Sequence, residues 1–206
     1  MAAIESVTLE VPDAAAAEAF YKAAFDLDDI VRVRESGEPT TGFRGFTLSL
    51  VVSQPSTVDS LVGTALEAGA TPLKPVSKSF WGYGGSVRAP DGAIWKVATS
   101  SKKETGPATR KVDDVALLLG VADVKATKQF YVDHGFPVGK SFGSKYVEFA
   151  TTPASRVKLA LYGRRALAKD AGVHPDGSGS HRIVIDNDAA SFTDPDGFAW
   201  QAAPAV

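Results

Sequence analysis

Arg88-Ala89-Pro90-Asp91-Gly92-Ala93-Ile94-Trp95 returns near the end of the chain as Thr193-Asp194-Pro195-Asp196-Gly197-Phe198-Ala199-Trp200. Proline presets φ, aspartate bonds its own backbone and glycine takes positive φ, so Pro-Asp-Gly between two apolar stretches reads as a tight turn joining strands. One copy would fit any hairpin. Two copies, each with a tryptophan three residues beyond the glycine, point to an internal duplication.

A second pair of segments repeats further upstream in each half. Val7-Thr8-Leu9-Glu10-Val11 alternates apolar and polar residues as a half-buried strand does. Asp13 then offers an N-cap, and residues 14–25 read as a helix carrying Phe20-Tyr21. In the second half residues 115–119 form an apolar strand, Asp123 is the cap, and residues 124–134 form a helix carrying Phe130-Tyr131. Each helix leads through a short turn to a strand, at residues 30–33 and 138–142. Between these landmarks the halves differ. The first has a strand at 46–52 and a helix at 58–68; the second has strands at 145–150, 157–162, 181–185 and 189–192. Residues 100–110 are rich in Ser, Lys, Thr, Gly and Pro and read as a connector. The expected organisation is a first half at 1–99, a linker at 100–112 and a second half at 113–206. Short strands, few helices and no βαβαβ alternation predict an α+β fold of curved mixed or antiparallel sheets with helices on one face.

Composition narrows the function classes. Of 206 residues 44% are hydrophobic and 22% charged, with a formal charge of −2, which is ordinary for a globular chain. No basic excess marks a nucleic-acid partner. The densest cationic pairs, Lys102-Lys103 and Arg164-Arg165, read as solvated surface. The absence of cysteine excludes disulfides, thiolate metal sites and a cysteine nucleophile. No apolar run approaches the roughly 20 residues of a membrane helix, and Met1-Ala2-Ala3-Ile4-Glu5-Ser6 lacks the pattern of a signal peptide. A cytoplasmic location and no membrane partner are therefore expected.

These landmarks resemble the vicinal oxygen chelate superfamily, which includes glyoxalases, bleomycin-resistance proteins and extradiol dioxygenases. The resemblance rests on the two Asp-capped Phe-Tyr helices, the helix ending Glu67-Ala68-Gly69-Ala70, residues 87–97, Tyr146 to Phe149, and Phe192 to Trp200. It implies βαβββ units that pair into half-open barrels around a ligand. Both halves look abridged. The first lacks the last two strands of its first unit, and the second lacks the helix of its last unit.

Metalloenzymes of this superfamily hold a divalent ion between His, Glu or Gln side chains on facing strands. Carried onto this sequence, the first-half positions fall on Ser6, on Lys96 and near Phe46 or Thr47. A lysine ammonium repels a cation and suits an anion or a carbonyl oxygen instead, so the first half is expected to be metal-free. The second-half positions fall on Asp114, His181 and Gln201, a weak donor set for a metal because the amide brings no charge. Strand alternation places Ser6, Thr8, Thr47, Ser49 and Lys96 on a polar inner face. Phe80, Trp81 and Tyr83 stand on a glycine-rich segment where they either line the lip of a ligand site or plug the barrel mouth. Tyr146 and Glu148 share a face in the second half.

The leading expectation is a small-molecule-binding protein of the glyoxalase/bleomycin-resistance type, with a small organic molecule as partner and no resident cofactor. One alternative is a lyase, isomerase or dioxygenase that uses a divalent metal at Asp114, His181 and Gln201. Another is a structural protein with a vestigial pocket. The resemblance also allows a homodimer.

Overall fold

The computed structural model describes residues 1–27, 29–80 and 82–202. The chain opens with β1 (Ile4–Val11) and α1 (Ala14–Ala24), whose Asp13 cap accepts the Ala16 N–H at 2.9 Å. There follow β2 (Val31–Glu35), β3 (Thr40–Gly42), β4 (Phe46–Val51), α2 (Pro55–Glu67), β5 (Thr71–Ser79), β6 (Gly82–Arg88) and β7 (Ile94–Thr99). After the connector come β8 (Asp114–Val121) and α3 (Val124–Asp133), capped by Asp123 through the N–H groups of Lys125 and Ala126. Next are β9 (Val138–Phe142), β10 (Tyr146–Phe149), β11 (Val157–Gly163) and α4 (Arg164–Ala171). The chain ends with β12 (Gly177–Gly179), β13 (Ile183–Asn187), β14 (Phe192–Thr193) and β15 (Ala199–Ala202). Both Pro-Asp-Gly turns are built alike, with Gly92 and Gly197 each at φ +93°.

Three expectations are corrected. The strand read at 181–185 begins at Ile183, because Arg182 takes φ +57° and breaks the extended run. The strand read at 189–192 shrinks to Phe192–Thr193, because the Asn187 side-chain oxygen accepts the N–H groups of Ala189 and Ala190 and folds the segment into a turn. A helix, α4, stands ahead of the last unit, where none was expected.

Among the described residues thirteen strands join in one curved sheet, and β3 pairs with β12 separately. The sheet contains two complete four-stranded sets, β4-β7-β6-β5 and β8-β11-β10-β9 in spatial order, in which β4 pairs parallel with β7 and β8 with β11. They meet through antiparallel pairing of β4 with β8, from Phe46 opposite Leu119 to Val51 opposite Asp114. The ends of the chain build the abridged remainder: β2 lies parallel to β1, β1 pairs antiparallel with β13, and β15 follows with β14. The complete part of the sheet thus comes from the middle of the chain, with one set from each half.

Helices α1 to α3 cover the outer face. Leu117 and Leu119 of β8 point into that core and are fully buried, whereas Leu118 packs with Leu167 of α4 on the inner face. The two tryptophans anchor outer helices to strands. Trp95 is 0% and Trp200 3% exposed. Trp95 lies 5.5 Å from the Tyr21 ring and 4.8 Å from Phe25; Trp200 lies 5.3 Å from Tyr131 and 5.1 Å from Phe136. The two segments differ in what their tyrosines bond. Tyr21 donates to Asp91 inside the first turn at 2.6 Å, while Tyr131 donates at 2.6 Å to Asp194, which stands where the first copy has Ala89. Among the described residues no helix is long and apolar enough to cross a membrane.

Candidate functional site

The inner face of the complete sheet part is divided by α4. Gly163 turns the chain straight out of β11 into this helix, which folds back over β8 and also touches β11 and β4. Gly120 of β8 permits the close approach: a Cβ there would lie 3.1 Å from the Arg164 Cα and 3.2 Å from a Leu167 methyl carbon. Leu167, Ala168 and Ala171 are buried against Phe43 and Ile94. The helix ends at Gly172 in the left-handed conformation, the usual glycine stop.

The last turn of α4 is tied to the sheet by three donors. The Lys96 ammonium lies 2.8 Å from an Asp170 carboxylate oxygen. The Lys74 ammonium donates to the Lys169 carbonyl at 2.8 Å, and the Ser86 hydroxyl to the Ala171 carbonyl at 2.9 Å. Beside these ties lies a cleft of about 300 Å³, with Gly84 and Ala98 on its floor and Ser77, Ser79 and Thr99 along its sides. Its shape follows from two local features. Strand β5 bulges between Lys74 and Ser77, so Pro75 and Val76 stand outside the ladder opposite Gly85. Side chains are also missing where backbones crowd, since a Cβ at Gly84 would lie 2.7 Å from the Val97 carbonyl oxygen.

On the other side of α4 the inner face is aromatic. Phe142, Tyr146 and Tyr162 follow one another across β9, β10 and β11, with centroid separations of 5.9 and 4.8 Å. Tyr146 donates to Glu148 at 2.9 Å. Burial, reinforced by Glu148, raises the Tyr146 hydroxyl well above the ordinary tyrosine range. Burial also raises that of Tyr162, with Asp170 adding to the effect. Lys158 lies 2.8 Å from Asp114 at the edge of this region.

The expected site residues divide among several places. Thr47, Ser49 and Lys96 share the inner face, with Thr47 and Ser49 buried and Ser49 directly opposite Lys96 in the ladder. Tyr83 borders the cleft while its hydroxyl donates to Asp59 of α2. Tyr146 and Glu148 stand across α4 on β10. Ser6 and Thr8 belong to the abridged part, where both hydroxyls donate to the same oxygen of Asp186, at 2.9 and 3.0 Å. Phe80 is 82% exposed, with the Lys102 ammonium 5.8 Å from its ring centre. Trp81 lies outside the described residues.

Asp114, His181 and Gln201 do not form one cluster. Asp114 is held by Lys158. His181 places one ring nitrogen 2.5 Å from the Arg44 carbonyl oxygen and the other 3.0 Å from that of Asp196, and its ring stacks on Phe198 at 3.9 Å. Gln201 stands opposite Asp186, which is five residues along the chain from His181 and inside β13, whereas His181 lies before that strand begins. The carboxylates of the inner face are likewise engaged. Asp170 and Asp114 are each neutralised by a lysine, Glu148 is engaged by Tyr146, and among the described residues no three His, Cys, Asp or Glu side chains converge.

Asp170, Lys74 and Ser86 were not singled out from the sequence. The signal for α4 is there: residues 164–171 are good helix formers with apolar positions at 167, 168 and 171 and a glycine directly after. The solvated-surface reading of Arg164 is corrected as well. Its guanidinium donates to the carbonyls of Phe43 and Pro175 and pins the start of the helix.

No protein-family model and no curated protein matches the chain. Solved structures do. Glyoxalase I from Zea mays superposes with a TM-score of 0.62 at 13% identity, over 98% of this chain and 92% of that one. A candidate dioxygenase from Bacillus subtilis superposes with a TM-score of 0.61 at 12% identity, over 98% of this chain and 86% of the other. With its βαβββ sets, its curved sheet and these superpositions along nearly its whole length, the chain has the fold of glyoxalase I.

Proposed function

We propose that the protein binds a small organic molecule on the inner face of its sheet, as glyoxalase/bleomycin-resistance-type proteins do, and that no catalytic metal operates there. The cleft between α4 and β5 to β7 carries this reading. It is walled by strands on one side and by a helix on the other, and its lining of Lys96, Lys74 and hydroxyl groups is preformed. Its volume of about 300 Å³ falls at the lower end of the range for small-ligand sites. Tyr146 and Glu148 extend the same face and would contact a ligand reaching past α4, with Thr47 and Ser49 buried behind that face on β4.

The metal-free reading rests on the chemistry of the donors. At the position where the resemblance implies an acidic ligand, Lys96 presents an ammonium, and the nearest carboxylate is spent on neutralising it. The reading is tested by native mass spectrometry and elemental analysis of the purified protein. The expected result is a co-purified or added small molecule bound at one per chain, with Zn, Mn and Fe well below one per chain. Near-stoichiometric metal that is lost on His181→Ala or Asp114→Ala would overturn it in favour of the metalloenzyme.

A further inference from the structure

We propose that the ligand of the cleft is an organic anion whose carboxylate or phosphate group takes the place of the Asp170 carboxylate on Lys96, freeing the last turn of α4. The inference rests on the reading of the cleft as the ligand site and adds the ligand's chemical class.

Three features carry it. First, the cleft is cationic only when the protein's own acceptors leave it. Lys96 and Lys74 converge on its edge, and both are now engaged by the end of α4: the Asp170 carboxylate, and the Lys169 carbonyl at the helix's negative pole. The helix end thus occupies the place of an anionic ligand. Second, the Asp170 carboxylate itself is weakly held. The Lys96–Asp170 pair has side chains 35% and 39% exposed, and exposed pairs contribute little. The helix has only eight residues and no side-chain N-cap, too short to be stable without its packing. Third, the rest of the lining is rich in hydroxyls. Ser77, Ser79 and Thr99 surround a floor made open by Gly84 and Ala98, and the Ser86 hydroxyl is held by the Ala171 carbonyl until the helix end leaves. Such walls suit a small hydroxylated body attached to the anionic group. The displacement needs no new charge in the site: the incoming anion replaces the one that leaves, and Asp170 moves out to solvent.

The test uses the full chain with sodium phosphate and sodium acetate as probes, titrated against sodium chloride at constant ionic strength. Amide shifts around Lys96, Gly84 and Ala171 provide the readout. Saturable binding is expected for at least one probe, and the comparison between them separates phosphate from carboxylate ligands. Asp170→Asn should tighten binding at least fivefold by removing the competing carboxylate. Lys96→Gln should abolish it in either background, and thermal melts would verify that both variants remain folded. Equal affinity in the wild type and Asp170→Asn, or binding that survives Lys96→Gln, would overturn the proposal. A neutral polyol, erythritol, separates this failure from that of the parent reading. Cleft shifts with erythritol but with neither anion leave the ligand site standing and remove its anionic character; silence with all three removes both.

Discussion

Tyr131 satisfies two buried groups at once, donating its hydroxyl hydrogen to Asp194 and accepting the Trp200 indole N–H at 3.1 Å. Removing the hydroxyl leaves both partners buried without it, at a cost of about 1–3 kcal/mol for each unmet group. Tyr131→Phe should therefore destabilise more than a surface substitution does, with the loss read from urea denaturation. The tryptophans lie deeper in the same clusters, and Trp95→Ala or Trp200→Ala should each cost about 3–5 kcal/mol. Asp194 also makes stability depend on pH. Burial holds its carboxyl above the ordinary range, against the lowering effect of its bonds from Tyr131 and the Phe198 and Asp196 N–H groups. The folded state thus keeps a proton that the unfolded state releases near its usual value of about 3.9. Between that value and the raised one the native state binds more protons, so this group's contribution to stability falls as pH rises across the window. Melts of Asp194→Asn across the same window should show a flatter slope; a slope equal to the wild type's would place the titration elsewhere.

At the level of elements, α4 changes the site most. The two Asp-capped helices and the two Pro-Asp-Gly turns are legible in the sequence because each depends on local chemistry: a cap, a φ preset by proline, a glycine at positive φ. Where α4 packs depends on Gly120, one residue among 19 glycines, and on an inner face that no local pattern distinguishes from solvent. For the same reason the sequence pattern places Ser6 and Thr8 with Thr47, Ser49 and Lys96. Alternation assigns a residue to a face of its own strand but does not say which strands lie beside it, and β1 pairs with β2, β13 and β11, not with β4. The side chain that fixes α4 is Leu167, fully buried with Phe43 and Ile94. Leu167→Ala should destabilise by about 2–5 kcal/mol. It should also loosen the last turn of the helix, seen as faster amide exchange at residues 168–171 than at β8. Equal protection in the variant and the wild type would mean that the three ties to β5, β6 and β7 hold the helix without its apolar anchor.

At the scale of the whole molecule, the repeat predicts related halves, and the sheet shows that they interlock. Chain order places β1 and β4 in the first half and β8 and β13 in the second. The pairings β4–β8 and β1–β13 both cross the connector, with six and five partnered positions. Without its second half, β1 keeps only β2, and a lone pair of strands is marginal in water. β4 would expose an edge from Phe46 to Val51, and Phe43 and Ile94 would lose Leu167. Without its first half, β13 and β15 lose β1, and β8 loses β4. The loss extends to side chains, because each buried leucine returned to water costs about 1.5–3 kcal/mol, and whole domains are stable by only about 5–15 kcal/mol. Chains cut to residues 1–99 and 113–206 should therefore each show poorly dispersed amide spectra and no cooperative melt. Mixing them at micromolar concentration should restore both, because the contacts that hold the halves together do not require the connector to be continuous. A cooperative transition in either fragment alone would show that its own strands suffice, and that β4–β8 and β1–β13 join finished domains rather than complete them.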